Sequence, residues 1–219
     1  PAGQTILDIE SIVNSSKYKP PNSMNDMIQI FSEEFGDWQN IIFGVTDINS
    51  SDYQSKQCQI SESEFSTSLE EFKPRSNPSS YFIGGESIAL QRLENKVILE
   101  EKYVKNFSKP NSISTNTEGN PFEPTTTGLS PYLSTGCLSV RRLWNACSEI
   151  QQLGEHTKPP VSIHGQLMFR EMFYLLSRSV MNWDQDKENT HCKEIEWGTT
   201  EQSLLAAWES GETGFPLID

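Results

Sequence analysis

The sequence contains no C-x-x-C pair, no histidine and cysteine grouping at metal-ligand spacing, and no run of about 18 apolar residues. Each absence excludes something. Cys58, Cys137, Cys147 and Cys192 form no redox motif. Cys137 and Cys147 lie in apolar helical settings, where a reduced thiol packs as a small hydrophobe, so an intracellular, reducing compartment fits best. His156, His164 and His191 share no ligand spacing, and no metal site is expected. Nothing is long and apolar enough to span a membrane, and no basic-apolar leader is visible. Basic residues are scarce: 17 Lys and Arg stand against 30 Asp and Glu, a net charge of -13. That balance argues against loose, charge-driven DNA binding, which rests on Lys and Arg neutralising phosphates, and leaves only a local basic patch open. Gly84-Gly85-Glu86 precedes a helical pattern but lacks a G-x-G-x-x-G or Gly-Lys-Ser/Thr continuation. It supports no nucleotide site on its own.

What is present is 219 residues, enough for one good core or one and a half. The chain begins with Pro1 and stops at Asp219 directly after a turn signal, and reads as a fragment of a longer protein. Residues 1–20 read as an extended segment and then a helix, with Ile6, Ile9, Ile12 and Val13 on one face. Lys19-Pro20-Pro21-Asn22 breaks it. Met24 to Phe35 is a short helix with Met27, Ile28, Ile30 and Phe31 on its packed face. Residues 36–80 have the composition of a solvated linker, with Phe65, Leu69 and Phe72 as anchors. Glu86 starts a long helix in which Ile88, Leu90, Leu93, Val97 and Val104 recur at helical spacing. Residues 106–124 read as a loop and Gly154 to Pro160 as a break. Thr199 and Gln202 form a capping box for a helix with Leu204, Leu205 and Trp208 on one face, ended by Gly211.

The chain is organised around Thr125 to Trp144, TTTGLSPYLSTGCLSVRRLW. Ser130 fits a helix N-cap and Pro131 the first turn, where a missing N–H costs nothing. Gly136 stops that turn. Ser139 opens a second helix with Val140, Leu143, Trp144, Cys147 and Ile150 at near-3.6 spacing. Free N–H groups at a helix start, surrounded by hydroxyls, make an anion site, and phosphate is the usual anion. On spacing alone, Ser130 is more simply a cap. Ser162 caps the helix carrying HGQLMFREMFYLL, on which Gln166 and Arg170, four apart, share a face. Such a pair on so apolar a helix must reach solvent or be satisfied internally. Trp197, alone beside a polar stretch, reads by itself as a packing anchor.

TTTGLSPYLSTGCLSVRR resembles the flavin-phosphate segment of the cryptochrome/photolyase family. Four further segments follow the family's order: IGGESIALQRLE, HGQLMFREMFY, IEW and WESGETGFPLID. GCLSVRR and TGFPLID look most like the light-sensing cryptochromes of insects. The resemblance implies a mainly α fold. Residues 1–35 would be the end of an N-terminal domain with its helices, 36–80 an interdomain connector, and 81–219 the first half of the FAD-binding helical domain. It implies FAD, bound non-covalently. Thr126, Thr127, Leu129 and Ser130 would hold its phosphates, Gln166 would hydrogen-bond it, and Arg170 would lie at its edge. Thr125 and Gly128 would only shape the turn. Trp197 would be the outer member of an electron-transfer chain.

Departures from the family pattern matter too. No arginine stands at Tyr81-Phe82-Ile83, near which the family often carries a basic residue that in some members meets the flavin phosphates, and Asn22-Ser23-Met24-Asn25 lacks the usual tyrosine. Phe169 stands where the family usually carries Trp, which in the repair enzymes can stack against a damaged base, and Gln166 where many cyclobutane-type enzymes carry Glu. Both lean away from that repair. The function implied is a blue-light photoreceptor in circadian regulation, in nucleus and cytoplasm, with clock proteins as partners. The alternatives are a light-driven DNA photolyase and a light-independent repressor. No catalytic residue is assigned, and the chain by itself is not expected to retain FAD, since half a pocket buries too little of a ligand.

Overall fold

A computed structural model describes residues 4–44, 81–109, 116–196, 198–199 and 201–218. The connector anchors Phe65, Leu69 and Phe72, and Trp197, lie outside the described residues. The chain divides into two compact units, Pro1–Arg178 and Ser179–Asp219. The first is built mainly of helices, and the second carries one helix among turns and irregular chain.

In the first unit, α1 spans Ile9–Val13 and α2 Met24–Phe35. The Asp8 carboxylate accepts the Ser11 N–H, and Ser23 and Asp26 form a reciprocal capping box, so each helix start satisfies orphan donors with its own side chains. The expected long helix is three pieces: α3 (Glu86–Leu93), a π-helical turn (Glu94–Ile98) and α4 (Glu101–Asn106). Glu100 leaves helical geometry at φ -113°, ψ 50°. The apolar spacing gives no warning, because Leu93, Val97 and Val104 would share a face on an unbroken helix and all three are buried here. The tertiary ties lie just beyond the break. The Lys105 carbonyl accepts the Thr157 N–H at 2.9 Å, and the Phe107 carbonyl accepts the Thr157 hydroxyl at 2.7 Å. The expected loop 106–124 contains a small antiparallel hairpin, β1 (Asn116–Thr117) and β2 (Asn120–Pro124), turned by Glu118-Gly119 with Gly119 at φ 78°.

Helices α5 (Ser130–Thr135), α6 (Val140–Gln151) and α7 (Ile163–Ser179) follow. All five apolar positions assigned to α6 are buried. Trp144 is the centre of the core. It stacks on Phe31 of α2 (5.3 Å between centroids) and on His164 of α7 (4.0 Å), with Trp38 and Phe43 edge-on, each 6.2 Å away. These rings tie the segment before residue 45 to the later helices. Ser162 caps α7 as expected, its hydroxyl accepting the Gly165 N–H at 3.2 Å. Gly165 is required: a Cβ there would sit 2.7 Å from the Pro160 carbonyl carbon.

In the second unit, buried Asn189 organises the polar stretch. Its amide donates to the carbonyls of Asn182 (3.0 Å) and Gln185 (3.3 Å) and accepts the His191 N–H (2.9 Å). Helix α8 spans Gln202–Ser210 and stops at Gly211. The Thr199 capping box does not form. Glu201 is the cap residue and makes no side-chain cap bond, so Gln202 is the first helical position rather than the third. Among the described residues no helix is long and apolar enough to cross a membrane.

Candidate functional site

The turn before α5 is built by Gly128. Its φ of +60° is costly for any residue with a Cβ, and it reverses the chain into Leu129, which already has helical geometry at φ -89°, ψ -10°. Neighbours of opposite φ sign turn successive N–H groups to one side, the arrangement that cups anions. Leu129 is 1% exposed, and its carbonyl accepts the N–H groups of Tyr132 and Leu133. Leu129, not Ser130, is therefore the cap residue. Ser130 is the first helical residue, and no side-chain cap bond is made at this end. The reason is that burial of Leu129 carries it into the turn one residue earlier than the Ser-Pro pair signals. The opening N–H groups are thus left to other partners. Thr126 and Thr127 are half-buried beside them, and Ser130 is exposed. Pro131 lies in the first turn and Gly136 closes α5 in the left-handed region, both as expected.

On α7, Gln166 and Arg170 are both half-buried. Gln166 Nε2 donates to the Pro160 carbonyl at 2.9 Å. Arg170 donates to the Gln4 carbonyl and, at 3.1 Å, to the Tyr174 hydroxyl, and its guanidinium lies 4.8 Å from the Tyr174 ring centre. The structure therefore satisfies this polar pair partly within the fold. The phosphate-turn residues and the α7 pair have separate partners. A cavity of about 580 Å³ opens beside Tyr174, Arg141 and Leu7, and none of the six residues assigned to FAD lines it.

Two charged residues absent from the sequence-based assignment stand next to these groups. Arg92 of α3 donates from Nε to the Thr127 carbonyl at 2.8 Å and pairs with Glu123 at 2.8 Å. Partial burial raises the Glu123 carboxyl, but bonds from Lys96, Tyr81 and Arg92 outweigh it and hold it down at about 2. Glu171, 0% exposed, accepts the N–H groups of Ile6 (2.9 Å) and Leu7 (3.1 Å), and Arg170 Nη1 lies 3.4 Å from its other oxygen. Both lie inside segments that carry the family resemblance, IGGESIALQRLE and HGQLMFREMFY, but neither has a role in that assignment.

Residues 163–219 match the FAD binding domain of DNA photolyase. A (6-4)DNA photolyase of Arabidopsis thaliana is 44% identical over 142 residues, 63% of this chain and 24% of that protein. A (6-4)DNA photolyase of Oryza sativa subsp. japonica is 41% identical over 144 residues, 64% of this chain and 24% of that protein. Cryptochrome-1 of Gallus gallus is 38% identical over 156 residues, 69% of this chain and 24% of that protein. The chain belongs to the cryptochrome/photolyase family. It spans about a quarter of the length of these relatives.

FAD is the cofactor of this domain of the family. The residues present fit it: an uncapped helix start, a turn of opposite φ signs and flanking threonine hydroxyls suit a pyrophosphate. Gln166, with an amide oxygen beside its donor, and the Arg170 guanidinium suit the polar rest of the molecule.

Proposed function

We propose that this chain supplies the phosphate-holding side of the FAD site in a blue-light photoreceptor, a cryptochrome acting in circadian regulation. In this reading Thr126, Thr127, Leu129 and Ser130 hold the FAD phosphates, Gln166 hydrogen-bonds the cofactor, and Arg170 lies at its edge. Trp197 is the outer electron-transfer tryptophan. Bound FAD supplies light absorption and redox chemistry, while the chain positions it and keeps water away. The observation that carries the reading is the turn from Gly128 to Ser130, whose opening donors lack a side-chain cap within a chain that matches an FAD-binding domain. Phe169, with Lys109 Nζ 5.6 Å from its ring, leans away from cyclobutane-type repair, because it lacks an indole N–H for a damaged base. Clock proteins are the partners proposed, in nucleus and cytoplasm.

A second reading is a light-driven (6-4) photolyase, which would flip a damaged base toward the flavin. The plant relatives at 44% and 41% identity favour it. The test is absorbance of the full-length parent followed by a repair assay on irradiated DNA. Oxidised flavin bands that bleach under blue light, with no repair, support the receptor. Repair of (6-4) lesions selects the photolyase. A protein without flavin, or one whose flavin does not respond to light, contradicts both and leaves a light-independent repressor.

A further inference from the structure

Arg92 is immobilised around the phosphate turn. Nε donates to the Thr127 carbonyl at 2.8 Å, Nη2 to Glu123 Oε1 at 2.8 Å and Nη1 to Glu123 Oε2 at 3.3 Å. The Phe82 ring lies 5.1 Å from the guanidinium carbon. Glu123 is itself fixed by Lys96 Nζ at 2.7 Å and by the Tyr81 hydroxyl. The guanidinium also lies directly on Gly128: a Cβ built there would be 2.9 Å from Cζ. Glycine at 128 is favoured by its positive φ, and a Cβ there would also displace the guanidinium resting on it.

The geometry points to Arg92 as a positioning residue for the FAD phosphates, acting through the Thr127–Gly128 peptide, an inference that rests on the FAD reading above. A trans peptide is planar, with its C=O and N–H on opposite sides. Pinning the Thr127 carbonyl toward Arg92 therefore aims the Gly128 N–H away from Arg92, as a fixed donor. Two cations, Arg92 and Lys96, against one anion, Glu123, also leave one net positive charge behind the turn. This offsets the missing arginine at 81–83. Lysine cannot replace Arg92, because one ammonium cannot bond the Thr127 carbonyl and both Glu123 oxygens in the fork geometry.

The experiment uses the full-length parent, freed of flavin, with Arg92→Lys and Glu123→Gln variants. Three probes are titrated: FAD, inorganic pyrophosphate as a competitor of FAD, and riboflavin, which has no phosphate. The expected result is that Arg92→Lys weakens FAD and pyrophosphate by about tenfold while riboflavin binding is unchanged. Unchanged FAD binding overturns the inference. So does equal weakening of FAD and riboflavin, which indicates a general packing role. If Arg92→Lys does not fold, the same three titrations on Glu123→Gln decide, with the same outcomes. A wild-type protein that takes up no FAD refutes the FAD reading itself, whereas wild-type binding with an indifferent variant refutes only the role of Arg92.

Discussion

Asn145 pairs with the backbone of Phe43 in both directions: its Oδ1 accepts the Phe43 N–H at 2.9 Å, and its Nδ2 donates to the Phe43 carbonyl at 2.8 Å. This mimics one rung of a β-ladder and holds the segment after α2 against α6. Asn145 is 9% exposed, so breaking the pair leaves partners in poor contact with water. Asn145→Asp keeps the acceptor but turns a donor into a negative oxygen facing a carbonyl. A loss of about 2 kcal/mol is expected. Native-state amide exchange checks it: the Phe43 N–H should be protected in the wild type and exchange rapidly in the variant.

Glu171 makes stability depend on pH. Burial pushes its carboxyl up from 4.5 to about 7, against the pull of the Leu7 and Ile6 N–H groups and of Arg170 and Arg141. A carboxyl raised on folding favours the folded state while it is protonated. Its contribution is fully present below 4.5 and lost as pH rises through about 7. The rise corresponds to about 3 kcal/mol. Urea midpoints measured from roughly pH 5 to 8 should fall in the wild type and stay flatter in Glu171→Gln. Equal slopes for the two proteins would remove Glu171 from the account.

The cysteines should separate by reactivity. Burial pushes the Cys147 thiol up to about 12. At half-exposed Cys137, a bond from the Thr135 hydroxyl at 3.3 Å and the Gly85 backbone N–H hold the thiol below its ordinary value. Brief treatment with iodoacetamide near neutral pH should modify Cys137 and leave Cys147 untouched, as read by peptide mass spectrometry. Thr135→Val should slow the reaction at Cys137. Modification of Cys147 at a similar rate would mean that the core around Trp144 opens.

Much of the fold could be read from the sequence where one local signal dominates. Ser23 and Gly36 bound α2, and a clean apolar stripe marks α6. Local signals failed where the deciding interaction is distant in sequence. Leu90 and Val104 read as one helix, yet the ties from Lys105 and Phe107 to Thr157 lie beside a break at Glu100. Ser130 reads as a cap, yet Leu129 takes that place by being buried. Thr199 reads as a cap, yet α8 starts two residues too late for it. The site was legible as residue types but not as partners. The Gln166 bond to Pro160 and the Arg170 bond to Gln4 come from chain folding back on α7. Arg92 resembles any surface arginine until Glu123 and Thr127 are seen around it.

The FAD affinity of Ser130→Asp in the full-length parent tests the phosphate turn most directly. Ser130 is exposed and is the first residue of α5, so an acidic side chain there suits the helix dipole and should stabilise the apoprotein by about 0.3–1 kcal/mol. In the proposed reading the same charge would face the phosphates and repel them. The result predicted is a protein at least as stable as wild type that binds FAD about tenfold or more weakly. Undiminished FAD binding by that stable variant would show that the phosphates do not rest at the start of α5.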